Sequence, residues 1–519
     1  MIMYDSILAR SFSKHEQKKL RYGALLGFLL IAFSFCTVFK PYLGPLPILK
    51  LRLSMGVGLR MLMIKKETSS SQKIYKEASK SHEHIRIRNT SNSLQGVDDI
   101  NISHKIVENT SSSQQPIVKN ATNSQQQVVT EEIVPKKVKP ICNIMKRTDF
   151  CEINNEDIRI DGSSATVFIA SSQLDISAEN QSWTIRPYAR KGDQTAMNGV
   201  REWSVKTVND PKRLPQCTQN HSIPAILFSN GGYAGNHFHD FTDIVIPLYS
   251  TSGQFNGEVQ FVITNKRSWW IKKFQKVVKN LSKYDPIDID KEKGVHCFTS
   301  GIIGLKRNDK ELNIDPSLSS HSMKDFRQFL RSSYSLKKDT AIKIRDGEKK
   351  KPRLLIISRK RSRTFINTAK IAQMARRMGF KVVVAEADMN VSRFAEIVNS
   401  CDVMLGVHGA GLTNMVFLPE NAVLIQVVPY GRMEWLARTY FEEPSKDMKL
   451  RYLKYDIKIE ESTLIQQYPI DHQVIRDPGS IGKLGWYAFR SVYLDKQNVK
   501  LDLNRFRSTF VKALELLHQ

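Results

Sequence analysis

A chain of 519 residues has room for two or three domains, and a 41% apolar composition is ordinary for a globular protein. Its formal net charge of +27 favours polyanions, phosphorylated ligands or membrane surfaces without choosing among them. Nucleic acid is set aside as a partner, because the sequence has no C2H2 spacing, no RNP-type aromatic string and no basic heptad region.

Residues 23–39, GALLGFLLIAFSFCTVF, form an uncharged apolar run of the length that crosses a bilayer. Lys14, Lys18, Lys19 and Arg21 precede it, and Lys40-Pro41 follows in place of a small-residue cleavage site. The run therefore reads as an uncleaved signal anchor after a cytosolic tail, 1–22. Basic residues on both flanks leave its orientation open by charge alone. The sequons carry that argument: Asn89, Asn101, Asn109, Asn120, Asn180, Asn220, Asn280 and Asn390 each begin N-x-S/T, and four of them crowd one polar stretch. The bulk of the chain is expected in the secretory lumen, as in a single-pass type II membrane protein. There Cys142 and Cys151 are close enough to close a small loop, and Cys217 can pair with Cys297. Cys401 is left as a buried free thiol. Residues 40–140 comprise a basic, apolar membrane-proximal segment and then a Ser-, Asn- and Gln-rich flexible stem with too few apolar residues to build a core.

Folding is expected from residue 141. Strands are expected at 165–170, 223–229 and 258–264, and between the last two lies GGYAGNHFHDFTDIVIPLY, residues 231–249. With Asn236 as cap and a helix ending near Pro247, Asn236, His239, Asp240 and Asp243 fall within one arc of about 100°. Phe238, Phe241, Ile244, Val245 and Leu248 take the opposite side. His239 and Asp243 at i and i+4 could be metal ligands, but no distant partner completes a site. Acid–base work is preferred both to a metal and to a merely solvated face, because the segment follows a Gly-Gly turn at a strand end. A polar connection, 310–350, carries one helix at 323–334.

A second α/β block follows. The expected order is a strand at 353–358, a helix at 368–378, a strand at 380–385, a helix at 391–399, a strand at 402–407, a short helix at 412–417 and a strand at 422–428. Arg359, Lys360, Arg361 and Arg363 come directly after the first of these strands, and His408, Gly409, Ala410 and Gly411 after the third. In a doubly wound sheet both groups sit at the carboxyl edge, where glycines admit a ligand backbone-close and helix N–H groups face a phosphate. Arginine forks suit a diphosphate. Esterase oxyanion loops share the His-Gly-Ala-Gly string, but no G-x-S-x-G elbow accompanies it here. A helix over 433–441 bears Glu434, a carboxylate able to accept hydrogen bonds from a ribose. An amphipathic stretch, 505–517, closes the chain.

The strings NGGYAGNHFHDFTD, SRKRSRTFIN, VGVHGAGLTNMVFLP and VVPYGRMEW stand in that order within residues 140–519. Together they closely resemble plant members of glycosyltransferase family 61. The resemblance implies single-pass Golgi proteins that decorate xylan, inverting enzymes of the GT-B type with two Rossmann-like domains. The donor is a UDP-pentose, UDP-xylose or UDP-arabinofuranose, with no bound cofactor or metal. More distant relatives modify protein glycans, so an N- or O-glycan acceptor is the alternative, and a non-catalytic glycan-binding scaffold is a reading of another class. In such a fold residues 141–345 hold the acceptor, with Asn236 and Tyr233 on that side. Residues 346–519 hold the donor, its diphosphate on Arg359, Arg363 and the 408–411 turn and its ribose on Glu434. His239 is the expected base with Asp243 orienting it, and Asp240 is the competing base. A metal-dependent GT-A reading would use Asp288-Ile289-Asp290, which stands in a polar segment. Expected partners are xylan or another glycan, the UDP-sugar, the Golgi membrane, and an oligomer with itself or other cell-wall glycosyltransferases.

Overall fold

The computed structural model describes residues 141–170, 181–317, 319–347 and 350–519. The anchor, the stem and the sequons Asn89, Asn101, Asn109, Asn120 and Asn180 lie outside the described residues. Among the described residues no helix is long and apolar enough to cross a membrane. Asn220, Asn280 and Asn390 are exposed.

The C-terminal sheet is five-stranded and parallel throughout, in the order Lys381–Ala385, Arg353–Ile357, Val403–Val407, Val423–Val428, Arg451–Asp456. Its central strands, VMLGV and VLIQVV, are buried along their whole length, as a parallel sheet covered on both faces requires. Taken in chain order the strands run second, first, third, fourth, fifth. The order therefore reverses between Arg353–Ile357 and Val403–Val407, the topological switch point at which such sheets open a crevice. Arg359 follows the first of these two strands and His408 follows the second.

The N-terminal part departs from a simple doubly wound domain. Gly301–Ile303, Ala225–Ser229, Gln260–Thr264 and Ile287–Asp288 pair in parallel, and the antiparallel hairpin Cys142–Ile144 with Asp149–Ile153 extends them at one edge. A second six-stranded sheet runs Ser182–Ile185, Trp203–Val208, Thr166–Ala170, Asp157–Asp161, Val295–Phe298, Gln219–His221. It covers one face of the first. Ala225, Leu227 and Val262 pack there against Ile158, Ile160, Val167 and Val205, while the alternate residues Ile226, Phe228, Phe261 and Ile263 face helices carrying Phe241 and Trp270. The reason lies in strands such as DIRID and WSVKTV, which alternate buried and exposed positions and so offer a single apolar face. Cys142 is bonded to Cys151 and Cys217 to Cys297, and Cys401 is a buried free thiol.

Candidate active site

Strand Ala225–Ser229 ends in Asn230-Gly231-Gly232, and the chain turns so tightly that a Cβ on Gly232 would lie 2.5 Å from the Tyr188 ring. Asn236 then caps the next helix, its side chain accepting the amide of Phe238 at 3.1 Å. The helix is regular only over His237–His239. Residues Asp240–Val245 form a π-helical turn, and α-helix resumes over Ile246–Ser252. The wider turn breaks up the expected single arc: Asp240 and Asp243 are fully buried, while Asn236 and His239 line the cleft described below.

Asp240 accepts hydrogen bonds from the Gly235 amide (2.8 Å), Trp270 Nε1 (2.9 Å) and Lys273 Nζ (2.6 Å). It anchors the turn and, unlike His239, does not line the cleft described below. Asp243 does the opposite work. Its Oδ2 accepts from His239 Nδ1 (2.9 Å), Arg190 Nε (2.7 Å) and the Tyr188 hydroxyl (2.9 Å), and its Oδ1 from Arg307 Nη1 (2.9 Å). Burial pushes this carboxyl upward, but Arg190, the His239 hydrogen bond and Arg307 outweigh burial and hold it well below the usual carboxylate range. A permanent carboxylate on Nδ1 makes His239 the Nδ1–H tautomer, leaving the Nε2 lone pair as the ring's basic atom. Arg190 and Arg307 also share Glu311, whose other partners are Thr242 Oγ1 at 2.7 Å and Arg147 Nη1 at 3.4 Å. Sequence reasoning missed Tyr188, Arg190, Arg307 and Glu311, which belong to no motif and come together only through the fold.

His239, Tyr233 and Asn236 form part of one wall of a cleft of about 810 Å³, a volume suited to a small-molecule substrate. Arg359, Arg363, His408 and Gly409 line the same cleft. Arg359 Nε donates to the Ser362 carbonyl (2.8 Å) and Arg363 Nη1 to the His408 carbonyl (3.0 Å). Both guanidinium groups crowd Gly409, where an added Cβ would stand 2.7 Å from Arg363 Nη1 and 3.2 Å from Arg359 Nη1. Glu386, the acid that most affects Arg359, is paired with Lys360 instead. Burial and then the neighbouring Arg359 lower Arg363 to about 9, which leaves it charged at neutral pH, and its shielded Nε has no partner among the described residues. Two adjacent guanidinium groups with spare donors are an arrangement made for an anion.

His408 completes that edge. Its Nδ1 accepts from Gln426 Nε2 at 2.7 Å, and Gln426 is fixed by the Tyr452 hydroxyl, which donates to its Oε1 at 2.9 Å. Nε2 therefore carries the proton. Burial, then Arg363 and Arg359, lower His408 to about 3, so it is a neutral hydrogen-bond donor. Ala410 and Gly411 open the 3-10 helix Ala410–Phe417, whose first amides have no acceptor within the helix. A link to the other wall went unforeseen: His237 Nε2 meets Asn414 Oδ1 at 3.1 Å, and Asn414 Nδ2 donates to the Gly411 carbonyl at 2.9 Å.

The helix expected over 433–441 divides into Glu434–Ala437 and a π turn, Arg438–Glu442, which leaves Glu434 exposed and outside the cleft lining while Trp435 and Tyr440 face in. In the segment of the alternative metal triplet, Asp290 is bound by Arg201 Nη1, Thr264 Oγ1 and the Asn265 amide, so it braces strand ends away from the cleft.

The family description Glycosyltransferase 61 matches residues 238–425, from the side chain next to His239 to the strand after the glycine turn. The chain is 44% identical over 387 residues to the beta-1,2-xylosyltransferase XYXT1 of Oryza sativa subsp. japonica, covering 72% of this chain and 83% of that one. The chain belongs to glycosyltransferase family 61. This family 61 chain is also 46% identical over 385 residues to the alpha-1,3-arabinosyltransferase XAT3 of the same plant, covering 73% of this chain and 66% of that one. To the xylan glycosyltransferase MUCI21 of Arabidopsis thaliana it is 35% identical, covering 71% and 77%. It thus spans just under two thirds of the length of the arabinosyltransferase.

Proposed function

We propose that this family 61 chain is an inverting glycosyltransferase that moves a pentose, xylose or arabinofuranose, from a UDP-sugar to xylan. The observation that carries the reading is one cleft with a carboxylate-backed imidazole on one wall and, lining the same cleft, two guanidinium groups without carboxylate partners. The names of its relatives, arabinosyl-, xylosyl- and xylan glycosyltransferases, support the chemistry. We read the described residues as a GT-B pair, in which the parallel C-terminal sheet holds the donor at its switch point and the N-terminal sheets present the base. The anchor at 23–39 and a luminal, Golgi placement belong to the same reading.

In the transfer an acceptor hydroxyl gives its proton to His239 Nε2 as its oxygen bonds to the anomeric carbon from the face opposite UDP. The bond from that carbon to the β-phosphate oxygen breaks, and its electron pair leaves with UDP. Arg359, Arg363 and His408 Nε2–H stabilise the charge that develops there, in a site already arranged for it. Asp243 stays ionised and stabilises the imidazolium without taking the proton. No step calls for a metal.

Solubilised full-length protein with xylohexaose and either UDP-xylose or UDP-arabinofuranose, in EDTA, should yield an oligosaccharide one pentose heavier with inverted anomeric configuration. Retention of configuration, or no product from either donor with or without divalent metal, would sink the reading.

A further inference from the structure

The cleft is divided by charge. Arg359, Arg361, Arg363 and Arg490 all belong to its lining. Around His239 the lining is aromatic instead. Tyr233 lies 4.6 Å from the His239 ring and Phe238 5.4 Å, between centroids; Tyr440 is 5.0 Å from Phe238, and Trp435 is 6.4 Å from Tyr440. The cation on this side, Arg190, is committed to Asp243 and Glu311, and the acid, Asp193, accepts from the Tyr233 hydroxyl and the Ala196 amide. A diphosphate is drawn to the arginines, so the aromatic run beside the base is left for a neutral partner.

Trp435 is 53% exposed in that run. Its neighbours Leu436 and Ala437 are buried in a small separate core with Phe489 and Tyr493, which fixes the helix and holds the indole out. Together with Tyr440 and Phe238 it makes a contiguous apolar surface along the cleft, and a contiguous patch, unlike a lone exposed ring, marks a ligand-binding groove. The C–H face of a pyranose is a suitable counterpart, being weakly positive and flat against the negative face of an indole.

We propose that Trp435 and Tyr440 form the acceptor platform, on which a neutral xylose unit of the acceptor stacks and so brings its hydroxyl to His239. This rests on the transferase reading and shifts part of the acceptor site from residues 141–345 to the C-terminal part of the chain.

The test is Trp435→Ala and Trp435→Phe in solubilised full-length protein, read by KM for xylohexaose, KM for the UDP-pentose, UDP affinity by calorimetry and melting midpoint. Trp435→Ala should raise the xylohexaose KM at least tenfold, with donor KM and UDP affinity within twofold and the midpoint unchanged. Trp435→Phe should recover most of the loss. A tenfold weaker UDP affinity would place the indole on the uracil and overturn the platform; an unchanged acceptor KM would overturn it as well. If the wild type transfers nothing, the transferase reading fails by itself, and xylohexaose binding followed by calorimetry then decides. Binding lost in Trp435→Ala keeps the platform, and no binding to wild type removes it.

Discussion

At the scale of single residues, the cleft depends on what Asp243 does to His239. A carboxylate that already accepts from two guanidinium groups and a tyrosine cannot drift, so it fixes both the ring plane and the tautomer. His239→Gln should lower turnover by about 10²- to 10⁴-fold, the usual worth of a general base, while UDP affinity and melting midpoint hold. Asp243→Asn should cost turnover as well, and also stability, because Arg190 and Arg307 lose a buried counter-charge worth about 3 kcal/mol. Turnover and thermal unfolding measured together separate the two roles. If both variants melted alike, Asp243 would not be the buried hub described here.

At the scale of elements, three π turns, Asp240–Val245, Arg438–Glu442 and Arg490–Leu494, adjoin or enter the cleft and follow or contain the lining residues His239, Tyr440 and Arg490. Each extra residue rotates the face that follows by roughly 100°, so a 3.6-residue period fails at these places. That is why Asp240 and Asp243 are buried instead of sharing one arc with the cleft-lining Asn236 and His239. The glycine turn offers a sharper test. Gly409 has φ +143°, and its Cα sits beneath both guanidinium groups. Gly409→Ala should weaken UDP binding at least tenfold by displacing Arg363, with the fold retained; calorimetry and circular dichroism would show it. The far end of the same helix is held from another element. Arg327, within helix Met323–Tyr334, donates to the carbonyls of Val416, Leu418 and Met448. Arg327→Met leaves those buried acceptors unpaired and should destabilise by about 2–4 kcal/mol in denaturant unfolding.

For the whole molecule, acid is the informative stress. His408 and His237 are each lowered to about 3 from 6.5, both by burial first, then by Arg363 and Arg359 for His408 and by Lys273 for His237. The unfolded chain takes up those protons first. Stability from these groups is therefore complete above pH 6.5 and lost as pH falls toward 3. Asp243, lowered from 3.8, contributes stability that is present above that value and lost only below it. Between pH 6.5 and 5 the decline thus belongs to the histidines, with His408 supplying up to about 1.4 kcal/mol per pH unit. The melting midpoint should drop over that window, and less steeply in His408→Gln; parallel profiles would show that His408 is not held neutral.

Much of this architecture is legible in the chain by itself. Helices at 323–334 and 391–399, the buried strands of the C-terminal sheet, the arginines and glycines at its carboxyl edge and the i, i+4 spacing of His239 and Asp243 are all local patterns. Local patterns report which face of an element is buried. They do not report what it is buried against. The second N-terminal sheet, the grip of Trp270 and Lys273 on Asp240, the clamp of Tyr452 and Gln426 on His408 and the charge cluster around Asp243 join residues as far apart as Ile158 and Phe298. A buried charge survives only where distant segments bring its counter-charges and hydrogen bonds, and only the tertiary structure assembles them. Residue type and spacing set His239 one turn before Asp243; packing decided which aspartate stands behind that imidazole and which holds the turn.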